Sequence, residues 1–164
     1  MKKDQLDANL IKKYHQDIVY NYAEYPTKDH WSFKFLSDQY KNALLEWMPN
    51  NKDKKIFFYV HIPFCEQLCW FCTCSKNITG DYKRVTEYLE YLYKEIDILF
   101  NFLNENNIKL NVGTVFFGGG SPTILNREDT KKLVDKLKTL FDWSNVEFFT
   151  IESDPRRVDE DRLL

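Results

Sequence analysis

Three apolar runs that favour β-strands alternate with helical patterns along the last two thirds of the chain. The runs cover residues 56–62, 114–117 and 146–151, and proline or glycine residues follow each of them. Continuous apolar strands of this kind are typical of parallel sheets that are buried on both faces. Because strands and helices alternate, the sequence predicts right-handed β-α-β units and an α/β fold with the parallel order β-α-β-α-β.

The segments between the runs carry the spacing of amphipathic helices. Apolar residues recur at helical spacing over 85–103 and again over 133–141, and Asn126 is a predicted N-cap of the second helix. A further helix is expected to start near Asp159.

The amino-terminal region is polar and mixed, which sets it apart from the regular pattern that follows. It contains a predicted helix over 37–47 that Pro49 ends. We therefore predict an N-terminal helical or irregular segment over 1–50 and the first part of a barrel over 51–164. Because only about two and a half β-α units are present, the barrel is predicted to be truncated at its C-terminus.

The charge and the hydropathy of the chain exclude several classes of function. The formal net charge of −2 gives no basic excess, so we expect no nucleic-acid partner. No apolar run reaches the length of a membrane span, and no apolar signal region follows the first lysines. The sequence is therefore interpreted as that of a cytoplasmic protein without a membrane span.

All four cysteines lie close together, at Cys65, Cys69, Cys72 and Cys74. A disulfide framework would distribute its partners along the chain so that they close long loops. Four neighbouring thiols in a chain without a secretion signal indicate metal or cluster binding instead.

Three unusual segments follow the three predicted strands. The cysteine loop follows the first strand, the sequence GGGSPT at 118–123 follows the second, and ESDP at 152–155 follows the third. Loops at the carboxyl ends of parallel strands share one rim, where ligands bind. Alone, the glycines could be a flexible turn and Glu152 an ordinary carboxylate at a helix start. Their common placement favours one shared binding site.

The cysteine spacing and its surroundings resemble a known family. Cys-x-x-x-Cys-x-x-Cys is specific for radical S-adenosylmethionine (SAM) enzymes, and residues 59–74 resemble the oxygen-independent coproporphyrinogen III oxidases in their YVHIPFC opening and CTC ending. The resemblance continues through GGGSPT and IESDP, and faintly through Tyr25-Pro26-Thr27. It implies that the fold is the N-terminal portion of a radical SAM barrel, a partial barrel of the TIM type.

The resemblance implies roles for individual residues in cofactor binding. Cys65, Cys69 and Cys72 would ligate a [4Fe-4S] cluster and leave one iron open for SAM. Residues that correspond to contacts of this SAM molecule are Tyr59, Gly119 and Glu152. Residues that correspond to contacts of a second SAM molecule are Phe71, Gly120 and Ser121.

The resemblance also implies an activity. The family contains radical SAM oxidoreductases of the coproporphyrinogen dehydrogenase type, which convert coproporphyrinogen III to protoporphyrinogen IX in haem biosynthesis without oxygen. The implied partners are a tetrapyrrole substrate and an external electron donor. No catalytic residue is assigned, and no Arg or Lys is clearly placed for the substrate carboxylates. His61 faces either substrate or packing.

Other interpretations stay open. The chain has Tyr22-Ala23-Glu24 where the family has Arg-Tyr-Thr, so a related radical SAM enzyme acting on haem or another substrate is one alternative. A non-catalytic haem chaperone of the same superfamily is a second, although the CTC ending favours the oxidases. A zinc module is disfavoured because Cys72 and Cys74, one residue apart, would crowd a tetrahedral site.

Overall fold

The computed structural model describes residues 36–72, 74 and 76–159. The chain divides into two compact units, Met1–Asn42 and Ala43–Leu164. The predicted segment boundary at residue 50 stays a prediction. The Tyr-Pro-Thr resemblance and the body of the helix expected from Asp159 lie outside the described residues.

The predicted amino-terminal helix is confirmed. Helix α1 spans Ser37–Trp47, and a 3₁₀ turn at Met48–Asn50 follows it. Pro49 stands at the start of that turn, where its missing N–H costs no helical hydrogen bond.

The second unit contains the alternating strands and helices that the sequence predicts. Its elements, in chain order, are β1 (Ile56–Ile62), β2 (Phe64–Cys65), β3 (Asn77–Ile78), α2 (Tyr82–Glu105), β4 (Val112–Gly119), α3 (Arg127–Leu137) and β5 (Phe148–Ile151). Strands β1, β4 and β5 form a parallel sheet with the order β1-β4-β5, and β2 pairs with β3 in a separate short ladder. The parallel α/β order is confirmed.

The register of the sheet sets which side chains share a face. Tyr59 pairs with Phe116, and Phe116 pairs with Thr150 on the other side. Successive side chains of a strand point to opposite faces. These three residues therefore lie on one face of the sheet, together with the residues two positions before and after them.

The two long helices begin at side-chain caps. The Asp81 carboxylate accepts a hydrogen bond from the backbone N–H of Lys83, at 3.1 Å, and so caps α2. The Asn126 side chain accepts from the backbone N–H of Asp129, at 2.8 Å, which confirms the predicted cap of α3. Within the part of the chain that the structure describes, no helix combines the length and apolarity needed to cross a bilayer.

Helix α3 is shorter than its apolar pattern predicts. It ends at Leu137, whereas the helical spacing continued to Phe141. Leu140 and Phe141 are buried outside the helix, and Phe141 forms a parallel bridge with Leu110. Both residues are apolar because they are buried in the connection to β5. Their spacing from Leu137 matches that of one more helical turn, so the sequence pattern predicted a longer helix.

The sheet has one face packed against helices and one open face. Helices α2 and α3 cover the first face, which includes the buried residues Val60, Ile62, Val115 and Phe117. The open face carries aromatic side chains, and Phe57 and Phe148 are 60% and 65% exposed there. The expectation that the strands are buried on both faces is therefore wrong for β1 and β5 among the described residues.

Candidate functional site

A cavity of about 640 Å³ lies at the carboxyl ends of the three parallel strands. Its lining comes from the cysteine loop, from the turn after β4 and from the segment after β5. The predicted meeting of these three segments is confirmed. The roles assigned to the individual residues stay predictions.

The short β2–β3 ladder holds the start of the cysteine loop. The backbone N–H of Thr79 donates to the Cys65 carbonyl at 2.9 Å, and the N–H of Cys72 donates to the Cys69 carbonyl at 3.1 Å. Cys65, Cys69 and Cys72 all line the cavity, and none of these thiols is in a disulfide. The ladder was not predicted, because two-residue strands leave no pattern in a sequence.

The thiols of the loop differ in acidity. Burial raises the pKa of Cys65, and the neighbouring Cys72 and Cys69 raise it further. A hydrogen bond from the backbone of Cys74 lowers the pKa of Cys72, and the charge of Lys76 acts in the same direction. The thiol of Cys72 is therefore more acidic than the thiol of Cys65. The thiolate is the form that binds metals.

The donor set of the cavity is the observation that bears on a bound group. Three cysteine thiols from one loop line the cavity together. Among residues 36–72, 74 and 76–159, no group of three His, Cys, Asp or Glu side chains is arranged as a site for a single metal ion. Cys is the usual ligand of iron–sulfur clusters, so the three thiols fit such a cluster by their chemistry.

The glycines at the end of β4 and directly after it bring backbone atoms without side chains to the cavity. Gly119 has a φ of +111°, and a Cβ there would lie 2.5 Å from the His61 ring. A Cβ on Gly120 would lie 2.5 Å from the carbonyl oxygen of Phe64. Both positions therefore require glycine, for its left-handed backbone or for its close approach to neighbouring atoms.

Glu152 lies against this turn. Its Oε2 accepts a hydrogen bond from the backbone N–H of Gly119 at 3.0 Å, and its own N–H donates to the Phe117 carbonyl at 2.9 Å. The structure thus brings together two residues predicted to contact the same SAM molecule. A carboxylate here can accept hydrogen bonds from an amine or from ribose hydroxyls.

Tyr59 and His61 lie side by side on the open face of the sheet. The Tyr59 hydroxyl is 3.0 Å from His61 Nδ1, so the two side chains point to the same side of the strand. Burial raises the pKa of Tyr59, and the charges of Glu152 and Cys74 raise it further. His61 is exposed beside Gly119, so it is not a core residue.

The three residues predicted to contact a second SAM molecule differ in their surroundings. Phe71 and Gly120 line the cavity, and the Phe71 side chain is exposed. Ser121 also lines it, but its hydroxyl accepts a hydrogen bond from the backbone N–H of Asp154 at 3.1 Å and lies 3.2 Å from the Thr123 hydroxyl. In this structure Ser121 joins two loops.

Sequence reasoning missed Arg156, which lines the cavity. Its Nε and Nη2 donate to the two oxygens of Asp154, at 2.8 and 2.7 Å, and these hydrogen bonds lower the pKa of Asp154 to about 2. Nη2 also lies 3.5 Å from the sulfur of Cys69. The available signal was a pair of arginines directly after the ESDP segment, at the predicted rim.

The comparisons with known proteins point to one family. No protein-family model matches the chain. It is 32% identical over 165 residues to the oxygen-independent coproporphyrinogen III oxidase of Salmonella typhimurium, covering 99% of this chain and 34% of that protein. It is 33% identical over 149 residues to the enzyme of that name from Mannheimia haemolytica, covering 91% of this chain and 96% of that protein.

A solved structure gives the same result. The coproporphyrinogen III oxidase from Escherichia coli, described as a radical SAM enzyme, matches with a TM-score of 0.73 and 29% identity. The match covers 94% of this chain and 32% of that one, so the α/β barrel portion predicted from the sequence is confirmed. The chain spans about a third of the length of the Salmonella relative, of which it covers 34%.

Proposed function

The chain belongs to the family of oxygen-independent coproporphyrinogen III oxidases, and we propose that it forms the part of such an enzyme that cleaves SAM. Membership of this radical SAM family implies a [4Fe-4S] cluster and SAM as cofactors. The observation that carries the proposal is the single cavity lined by Cys65, Cys69 and Cys72 together with Gly119 and Glu152.

In the proposal, Cys65, Cys69 and Cys72 hold the cluster. When bound and reduced, the cluster supplies an electron that breaks a carbon–sulfur bond of SAM, giving methionine and a 5′-deoxyadenosyl radical. Iron–sulfur clusters reach potentials as low as about −700 mV, which makes this reduction accessible. The protein's own part is to bind and orient the reactants.

Gly119, Glu152 and Tyr59 are proposed to bind the SAM molecule at the cluster. The Gly119 N–H and the Glu152 carboxylate already share a hydrogen bond of 3.0 Å, so a ligand exchanges that bond for its own donors and acceptors. Glycine at position 119 lets the ligand approach the backbone. Tyr59 lies on the same side of the sheet, since its ring and Glu152 Oε2 would lie 3.0 and 3.1 Å from a Cβ added at Gly118.

A second SAM molecule is proposed at Phe71, Gly120 and Ser121. The exposed Phe71 ring and the backbone of Gly120 line the same cavity. Ser121 would have to share its hydroxyl between the ligand and the Asp154 N–H. The number of SAM molecules follows only from the resemblance, so equilibrium dialysis of the cluster-loaded protein is the direct measurement.

The proposed reaction is the oxidative decarboxylation of coproporphyrinogen III to protoporphyrinogen IX. The names of the relatives support this substrate. In the proposal, a propionate side chain would lose a hydrogen atom to the 5′-deoxyadenosyl group and then carbon dioxide, leaving a vinyl group, and the one electron released would pass to an external one-electron acceptor. An external electron donor, a cytoplasmic location and the absence of a nucleic-acid partner stay predictions.

Anaerobic reconstitution of the full-length protein with iron and sulfide tests the cofactor. We expect a brown, oxygen-sensitive protein, and we expect Cys69→Ser to lose the cluster. Cys74→Ser is the matched control, because Cys74 is exposed and is not a proposed ligand. A colourless wild-type protein with stoichiometric zinc contradicts the proposal.

Product analysis tests the substrate. The loaded full-length protein is incubated anaerobically with SAM, a reductant and coproporphyrinogen III, and decarboxylated products are measured by mass spectrometry. Formation of protoporphyrinogen IX is the expected result. Unchanged substrate together with 5′-deoxyadenosine would indicate a radical SAM enzyme with another substrate, and no 5′-deoxyadenosine would indicate a chaperone.

A further inference from the structure

We propose that Arg156 is a positioning residue for the cysteine loop and that its hydrogen bond to the Cys69 sulfur raises the reduction potential of the iron–sulfur cluster. This inference rests on the proposed function, because it requires Cys69 to be a cluster ligand. It adds a residue from the segment after β5 to the surroundings of the cluster, although that segment is 87 positions away in the chain.

The guanidinium of Arg156 can serve two partners at once. Its Nη2 carries two hydrogens. One partner is Asp154 Oδ2 at 2.7 Å, and the other is the sulfur of Cys69 at 3.5 Å. The Nε donates to Asp154 Oδ1 at 2.8 Å, which completes a bidentate pair. The carboxylate therefore fixes the plane of the guanidinium while one N–H points at the sulfur.

The position of Asp154 is itself supported. Its backbone N–H donates to the Ser121 hydroxyl at 3.1 Å, and its side chain is 13% exposed. A continuous series of contacts thus runs from the glycine turn through Asp154 and Arg156 to Cys69. The three loops of the cavity are joined by the side chains of these residues, independently of any bound group.

A second contact bridges the same two segments. The Nε of Arg157 lies 3.5 Å from a carboxylate oxygen of Glu66. Two consecutive arginines after β5 therefore reach two positions of the cysteine loop, Glu66 and Cys69. The partly exposed ion pair of Arg157 and Glu66 therefore links the same two segments as the contact between Arg156 and Cys69.

The direction of the effect follows from charge. Reduction adds one negative charge to a cluster, and a cationic donor at a ligating sulfur stabilises the more negative state. Removing that donor shifts the midpoint potential to a more negative value. Because the Arg156 side chain is 48% exposed, water weakens the interaction, and the shift is smaller than it would be for a buried pair.

The test measures the potential of the cluster without SAM or substrate. The full-length wild type, Arg156→Gln, Arg156→Lys and the control Lys109→Gln are reconstituted anaerobically, and iron and sulfide are counted for each. Redox titrations with viologen mediators, followed by electron paramagnetic resonance, give the midpoints. Lys109 is exposed in the loop before β4, at the opposite end of the sheet, so its variant removes the same charge far from the cysteines.

We expect a more negative midpoint potential for Arg156→Gln. The shift should be smaller for Arg156→Lys, which keeps the charge but loses the planar guanidinium. The midpoint potential of Lys109→Gln should equal that of the wild type.

A fully loaded Arg156→Gln protein with the wild-type midpoint overturns the inference. If Arg156→Gln does not fold, a wild-type midpoint for Arg156→Lys overturns it as well, and failure of both variants to fold assigns Arg156 a purely structural role. A wild type that binds no cluster refutes the proposed function instead.

Discussion

The two faces of the parallel sheet differ in what their aromatic side chains do. Phe117 points toward the helices and is 1% exposed, whereas its neighbour Phe116 points to the open face and lies between Phe57 and Tyr59. The two phenylalanines are adjacent in one strand and have the same chemistry. Their different surroundings show that one set of side chains of this strand packs in the core, while the other set lies among the aromatic side chains of the open face.

The same division holds along β1. Val60 and Ile62 are buried against the helices, while Tyr59 and His61 turn the other way and meet at 3.0 Å beside Gly119. Substitutions on the helix-packed face should therefore act on the free energy of unfolding. Substitutions on the open face should act on ligand binding with smaller costs in stability.

The largest contrast is expected between Phe117→Ala and Phe116→Ala. Truncating the buried Phe117 removes its core contacts and should lower the free energy of unfolding by about 3–5 kcal/mol. Phe116→Ala loses only partly exposed ring contacts and should cost about 1 kcal/mol. Urea unfolding of the full-length variants measures both values. Equal losses would mean that the open face is as important for stability as the core.

Gly119→Ala should give the next largest effect. The added methyl group must accept a φ of +111° and a contact of 2.5 Å with the His61 ring, so we expect a loss of about 1–3 kcal/mol together with weaker SAM binding. Gly80→Ala is the control, because no heavy atom lies within 4 Å of its added Cβ. Wild-type SAM binding by Gly119→Ala in calorimetry would remove Gly119 from the proposed site.

Asn126→Ala tests the helix-packed side without touching the proposed cofactor contacts. Loss of the cap that accepts from the Asp129 N–H should lower the free energy of unfolding by about 1 kcal/mol. SAM affinity, measured on the same preparations, should stay at the wild-type value. Asn101→Ala, at an exposed position within α2, should instead be neutral or slightly stabilising. A loss of SAM affinity in Asn126→Ala would show that the two faces are coupled.

The smallest effect on stability is expected at alkaline pH, from Tyr93 in helix α2. Burial, and secondarily the charge of Asp129, raise the pKa of Tyr93 from 10.0 to about 12. Since the unfolded chain loses this proton first, the contribution of Tyr93 to stability is complete below pH 10 and declines as the pH rises toward 12. Partial exposure of the side chain keeps the effect small.

Thermal unfolding between pH 8 and pH 11 checks this. Tyr93→Phe should lose less stability over the range than the wild type, while the exposed Tyr91→Phe should follow the wild type. At pH 7 the Tyr93→Phe change should cost little, because among the described residues the buried Tyr93 hydroxyl has no hydrogen-bond partner. Identical pH profiles for all three proteins would contradict the assignment.

The fold was predictable where local pattern and tertiary structure agree. The apolar runs located β1, β4 and β5, and Asn126 marked the start of α3. The end of α3 was not predictable from periodicity, because Leu140 and Phe141 are buried by contacts outside the helix. The open face was also missed, since the apolar runs of β1 and β5 do not reveal that one face of each is exposed.

The sequence predicted which loops form the site, but not all of the contacts between them. Strand ends placed the cysteines, the glycine turn and Glu152 at one rim, and the cavity joins them. The pair of arginines after ESDP marked a cationic segment at this rim, but the contact between Arg156 and Cys69 was not predictable, because it depends on how two loops 87 residues apart are oriented. Nor could the sequence show that the Ser121 hydroxyl is engaged by the Asp154 N–H.

The proposed cluster ligands are contained in one short stretch of chain, whereas the contact with Arg156 joins distant segments. The entropic cost of bringing the ends of a segment together grows with its length. Keeping Cys65, Cys69 and Cys72 near one another therefore costs less than bringing together Arg156 and Cys69, which are 87 residues apart. The grouping of the three sulfurs thus depends mainly on local chain geometry, and the distant arginine acts on their orientation and on the charge around them.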